Sequence, residues 1–161
     1  MAKAKGASLA ELRGLYETRL AEFRRVAAAI VGNRELADDV VQEAFVRAVG
    51  ARGSYTRDGV LDAWVWRIVV NAARDARARG RGLELDEQRA ATADETAERA
   101  WVRAAVEQLP ERQRLILFLR YYADLDYRSI ADTLSISDGT VAATLNAARA
   151  RLRQLLTEVM L

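Results

Sequence analysis

Apolar side chains recur three and four residues apart along most of the chain, the spacing of a buried helical stripe, and no segment alternates as a half-buried strand would. Ser8 and Glu11 make an S-x-x-E capping box, which predicts a helix starting near Leu9. Its stripe runs through Leu12, Leu15, Tyr16, Leu20, Phe23, Ala27, Ile30 and Val31. Gly32-Asn33 ends it, because both residues tolerate the left-handed conformation that closes helices. Residues 1–7 read as a flexible lead-in. A second helix is predicted over about 35–49, with Leu36, Val40, Ala44, Phe45, Ala48 and Val49 inward and Gly50 and Gly53 as the stop. Residues 51–61 read as a loop. Asp62 then serves as N-cap for a third helix carrying Trp64, Val65, Ile68, Val69, Ala72, Ala73 and Ala76, ending at Gly80 or Gly82.

Residues 83–98 are acidic and weakly periodic and read as a linker, which places a domain boundary there. A further helix is expected over about 95–108, broken at Leu109-Pro110-Glu111. The next buries Leu115, Ile116, Phe118, Leu119 and Tyr122. Two more cover about 127–134 and 137–156. The fold class is therefore all-α, with two small helical domains, 9–82 and 99–161, joined by the linker.

The last two helices carry the spacing of a helix-turn-helix. Ile130, Ala131 and Leu134 face inward, and Ala131 is small where the helices cross. Ile136 plugs the turn, Ser137 caps the second helix, and Val141 and Leu145 seat it. The free first turn of such a helix fits the DNA major groove. Ser135 stands where a glycine commonly makes the turn.

Composition sharpens this picture by exclusion. The chain has 161 residues with no Cys and no His, which removes thiol nucleophiles, zinc-finger and haem ligation and the usual general base. No metal site and no cofactor are expected. No signal-peptide or membrane-spanning run is evident, so a soluble, cytoplasmic chain is expected. The net charge of +2 says little, but its distribution is uneven. Arg67, Arg74, Arg77, Arg79 and Arg81 face one acid, Asp75, whereas residues 84–98 hold six acids against Arg89. Basic Arg149, Arg151 and Arg153 follow near the end. Such blocks suggest two anion-binding faces joined by an acidic connector.

Three stretches together resemble the extracytoplasmic-function (ECF) group of bacterial sigma factors. They are Ala37-Asp38-Asp39-Val40-Val41-Gln42-Glu43-Ala44-Phe45, then Ala63-Trp64-Val65-Trp66-Arg67-Ile68-Val69-Val70-Asn71-Ala72-Ala73-Arg74-Asp75, then Leu109-Pro110-Glu111-Arg112-Gln113-Arg114 with the helix-turn-helix and Ala148-Arg149-Ala150-Arg151-Leu152. Their order and spacing match the family's regions two and four. The resemblance implies a factor that carries core RNA polymerase to promoter DNA. It implies that Asp38, Asp39, Gln42 and Glu43 form the polymerase-binding face. It implies that the 52–61 loop and third helix take the minus-ten element as single strand, through Ser54, Tyr55, Trp64, Arg67, Asn71, Arg74 and Arg77. Trp64 lies on the apolar stripe and reads as core first, which makes Tyr55 the better stacking candidate. The linker would thread the RNA exit path. Region four would read the minus-thirty-five duplex through Ser137, Asp138, Thr140, Val141, Thr144 and Asn146, with Arg149 and Arg151 on phosphates. The stretch Ala142–Ala147 lacks the basic residues usual there, and each missing phosphate contact lowers affinity and salt dependence. Whether an anti-sigma protein restrains the factor is left open.

Two other classes compete. A stand-alone helix-turn-helix regulator of duplex DNA explains residues 109–156 but leaves the first two motifs unused. A carboxylate enzyme holding a metal on Asp38, Asp39 and Glu43 lacks the Glu-x-x-His of di-iron bundles.

Overall fold

A computed structural model describes residues 5–80 and 96–160. Seven α-helices, and no strand, are found among them: α1 (Leu9–Val31), α2 (Arg34–Ala51), α3 (Leu61–Arg79), α4 (Ala97–Glu107), α5 (Glu111–Tyr121), α6 (Tyr127–Leu134) and α7 (Asp138–Met160). The all-α expectation holds. Most of the acidic connector, with Arg81 and Gly82, lies outside the described residues.

Helix α1 starts on the expected capping box, with both reciprocal bonds between Ser8 and Glu11 formed, and ends on Gly32 at φ +77°. Asn33 caps α2 through the Leu36 amide. Helix α7 runs to Met160, past the expected end near Leu156, and three other boundaries differ from the sequence expectation. Helix α2 runs through Gly50 to Ala51 and passes into a single 3-10 turn over Arg52–Ser54, since one exposed helical glycine costs only about 1 kcal/mol. Helix α3 begins one residue before Asp62, without a side-chain cap, because Asp62 turns instead to Arg19 at 3.4 Å. The lead-in is not loose at its end. Gly6 (φ +93°) and Ala7 donate their amides to the carbonyls of Tyr55 and Arg52, at 2.8 and 2.9 Å. A Cβ on Gly6 would lie 3.1 Å from the Arg52 carbonyl oxygen, so this approach requires glycine.

Helices α1, α2 and α3 pack on one another around Phe23, whose ring lies 4.4 Å from Trp66 and 5.3 Å from Phe45. Trp66, absent from the predicted stripe, is fully buried, whereas Trp64, which the stripe includes, is half-buried. Val49 and Tyr122, expected inside, are exposed. In the second half, α4, α5 and α6 pack on α7 around Ile116, Leu119, Ile130 and Leu145. Apolar contact continues from one half to the other, chiefly where α3 meets α6.

An ion pair ties the 52–59 segment to α1: Arg57 donates to Glu11 at 2.9 Å. The Arg57 bond first, then the Ser8 amide and hydroxyl, hold the Glu11 carboxyl down at about 2. A carboxyl depressed on folding stabilises above its unfolded value and loses that contribution as pH falls through its folded value. The wild-type chain is thus expected to lose stability between about 4.5 and about 2 on this account. Glu11→Gln should flatten that part of an acid-denaturation profile followed by circular dichroism.

Candidate nucleic-acid and protein interfaces

The acidic motif sits on the outer face of α2. Asp39 and Gln42 are exposed, Asp38 and Glu43 half-buried. The four are not equally available. Arg24 holds Asp38 at 2.8 Å. Arg47 holds Glu43 at 2.6 Å, and Arg79 approaches the same carboxylate at 3.7 Å. Arg47 also reaches Asp75 on α3 at 3.3 Å, which braces the two helices. Asp39, with no such pair among the described residues, borders a hollow of about 240 Å³ that Leu36, Val40, Glu43, Ala76 and Arg79 also line. Asp39 and Gln42 are the open acceptors of the face, and Asp38 and Glu43 arrive pre-oriented by arginines.

On α3, Trp64, Arg67, Asn71 and Arg74 follow one another at three- and four-residue steps and so share one side of the helix. The buried positions Val65, Val69, Ala72 and Ala76 take the opposite side. Arg77 is exposed further along. Within the loop, Ser54 donates its hydroxyl to the Ala51 carbonyl at 2.7 Å. Tyr55 corrects the expectation. Its ring is buried, its hydroxyl donates to the Gly59 carbonyl at 2.6 Å, and Trp64 packs beside it at 5.7 Å. The tyrosine is the floor that supports the loop, and Trp64 presents the accessible aromatic face. The period put Trp64 on the apolar stripe and read it as core first, whereas it is only half-buried. Which ring was covered depended on the loop folding back.

The helix-turn-helix forms as its spacing required. Ser135 closes α6 at φ +56°, taking the left-handed turn without a glycine. Ser137 caps α7 through the Thr140 amide at 3.1 Å. Ser137, Asp138 and Asn146 are exposed, Thr140 and Thr144 half-buried. Val141 is wholly buried against α6, so its side chain cannot touch a groove. It seats the helix only. Arg149 and Arg151 are exposed, with Arg149 donating to the Tyr121 hydroxyl at 2.9 Å and Arg151 to Gln154 at 3.0 Å. At the start of α6, Asp126 accepts from the Ser129 amide at 2.8 Å, and that bond lowers its pKa. Asp126→Ala should cost about 1 kcal/mol by loss of the cap, read as a lower urea midpoint with an unchanged slope.

Sequence reasoning missed three residues that join the halves. Arg19 on α1 donates to the Ala123 carbonyl, Arg67 donates to the Ser135 hydroxyl, and Arg74 pairs with Glu111 at 3.1 Å. The missed partners are Arg19, Glu111 and Ser135. Local spacing carries no signal for partners 104, 37 and 68 residues apart. Trp64 and Arg67 thereby line a cleft of about 320 Å³ facing Asp132, Ser135 and Ile136. No group of residues able to hold a metal, and no helix long and apolar enough to cross a membrane, is found among the described residues.

Comparison with known proteins identifies the two halves of the chain. The model of sigma-70 region 2 matches residues 15–82, and that of sigma-70 region 4 matches residues 99–152. The two regions in one chain define a sigma factor, the subunit that directs core RNA polymerase to promoter DNA. The chain is 34% identical over 150 residues to the ECF RNA polymerase sigma factor SigM of Mycobacterium tuberculosis, covering 88% of this chain and 75% of that one. It is 34% identical to the ECF sigma factor EcfG of Rhodopseudomonas palustris, over 83% of this chain and 78% of that one. The chain belongs to the ECF sigma factors, and it is a transcription initiation factor. Among solved structures, CnrH in complex with the cytosolic domain of CnrY aligns with TM-score 0.73 at 25% identity, over 94% of this chain and 91% of that one. The fold of RpoE from Bartonella quintana, in complex with the anti-sigma factor NepR, aligns with TM-score 0.72 at 21% identity, over 92% and 98%.

Proposed function

We propose that this factor divides promoter recognition among three surfaces of its own chain. The outer face of α2 docks on core polymerase: Asp39 and Gln42 are the exposed acceptors for arginine on the partner, and Asp38 and Glu43 complete the patch. The α3 side formed by Trp64, Arg67, Asn71 and Arg74, with Arg77 and Ser54 at its ends, takes the melted minus-ten strand. Trp64 stacks a base, and the guanidinium groups grip phosphates. The first turn of α7 reads the minus-thirty-five duplex with Ser137, Asp138, Thr140, Thr144 and Asn146, while Arg149 and Arg151 hold backbone. The domains are 9–82 and 99–161, with 83–98 as the connector along the RNA exit path. The polymerase supplies the chemistry. The chain itself is no enzyme, and it works in the cytoplasm. An anti-sigma protein is a reasonable partner, since CnrH and RpoE were each solved with a protein partner.

One observation carries this reading. Aromatic, amide and two cationic side chains line one side of α3, the combination a single strand needs, next to a loop pinned at both ends. A duplex-only regulator has no use for it. The test is run-off transcription by core polymerase on fragmented genomic DNA with and without the factor, together with pull-down of core enzyme. Asp39→Arg should leave the helical spectrum unchanged and weaken capture of core polymerase at least about tenfold, as expected when like charges face each other at an interface. Wild-type protein that neither binds core enzyme nor stimulates any transcript would refute the assignment, and a gel shift on duplex DNA alone would then favour the free-standing regulator.

A further inference from the structure

The segment ahead of α1 reaches across region two to the 52–59 loop, which carries Ser54 and lays Tyr55 against Trp64. Gly6 donates its amide to the Tyr55 carbonyl at 2.8 Å, and Ala7 donates to the Arg52 carbonyl at 2.9 Å. Ala7 is itself buried in the core of region two. From the first turn of α1, Glu11 accepts from Arg57 on both carboxylate oxygens, at 3.1 and 2.9 Å. Arg57 sits at φ +59°, a backbone state that a non-glycine residue keeps only where its surroundings impose it. The two-pronged ion pair is such a constraint. The same guanidinium lies 5.8 Å from the centre of the Tyr55 ring. The loop is therefore gripped before Tyr55, at Tyr55 and after it. There is no room for another residue at the crossing: a Cβ on Gly6 would lie 3.1 Å from the Arg52 carbonyl oxygen and 3.2 Å from the Gly53 Cα. All of these gripping residues precede the part of the chain that matches sigma-70 region 2, which begins at residue 15.

We propose that residues 6–11 are a strap that sets the selectivity of minus-ten recognition: Gly6, Ala7 and Glu11 are positioning residues that fix the 52–59 loop, and through it Ser54 and the ring of Trp64, in the course a melted strand meets. The inference rests on the strand-binding reading of α3 and its loop given above. The strap acts through Arg52, Tyr55 and Arg57 and touches no base itself. A loop already in place loses none of the strand's binding energy to ordering. A loop that cannot move also cannot adapt to a wrong base, and that is what separates one sequence from another.

The absence of cysteine allows a single label on the full chain. Thr56, exposed in the middle of the loop, is changed to cysteine and carries a nitroxide. Two variants release the strap in different ways. Gly6→Val strains the backbone at φ +93° and drives a side chain against Arg52. Glu11→Gln keeps the capping box, which accepts glutamine as well as glutamate, and removes the charge that holds Arg57. Each variant should add a mobile component to the nitroxide spectrum while its helical circular dichroism stays that of wild type. The unlabelled proteins are then compared with core polymerase on fragmented genomic DNA. Capture of core enzyme should be unchanged, but transcription should spread over more start sites. The share of transcript from the wild type's strongest starts should fall roughly two- to fivefold in Glu11→Gln, the size of an exposed ion pair, and further in Gly6→Val. Arg57→Gln should reproduce Glu11→Gln, and the two together should do no worse than either alone, because they break one tie. A nitroxide as restrained in Glu11→Gln as in wild type overturns the proposal, and so does a released nitroxide with unchanged choice of start sites. The strand reading stands or falls separately, on whether Arg67→Ala with Arg74→Ala removes transcription while the strap is intact.

Discussion

Trp66→Ala is expected to cost about 3–5 kcal/mol, the range for emptying a fully packed aromatic site, and to leave the first half without a stable core at physiological temperature. Trp66 has no solvent exposure and packs on Phe23, which in turn packs on Phe45, so one truncation loosens all three helices of region two. The indole Nε1 is buried without a hydrogen-bond partner. That leaves an unsatisfied donor in place, whose desolvation costs about 1–3 kcal/mol. Trp66→Phe gives up some packing area but also removes this donor, so it should cost far less than alanine. Urea denaturation of the three proteins checks the ordering. A Phe variant as unstable as the Ala variant would mean that the indole nitrogen finds water or a partner in solution.

The second large effect concerns activity. Arg67→Glu with Arg74→Glu should lower promoter-directed transcription at least about tenfold at ~0.15 M salt, since each change removes a cation from the proposed strand path and adds a repelling charge. For single-stranded DNA the slope of log affinity against log salt falls by about 0.7 for each phosphate no longer neutralised, so neutral Ala variants of both should reduce it by ~1.4. Run-off transcription checks the first effect, and oligonucleotide anisotropy over a salt series checks the second.

Much of the molecule was legible in the sequence, because local chemistry decides local structure. The capping box at Ser8 and Glu11, Gly32 at the end of α1, Ser137 at the start of α7, and the bounds of α6 all act over three or four residues. The sequence also placed the acidic patch on the solvent side of α2, since helical period alone settles it. Where it failed, the deciding interaction came from far along the chain. Asp62 left the capping role for Arg19, 43 residues away. Tyr55 was covered because the loop folded under Trp64 and onto Gly6. Trp66 displaced Trp64 from the core because two helices close over that side of α3, a fact a single stripe does not encode.

What the sequence determined by itself is therefore the set of helices, their caps and the faces each one presents, because these follow from interactions within one or two turns. Only the tertiary structure decided which tryptophan is buried, which carboxylates of the α2 patch are already held by arginine, and that region four sits on the α3 stripe. Those outcomes depend on oxygens and rings brought together across tens of residues, and the summed weak interactions of that packing, not any local preference, select them.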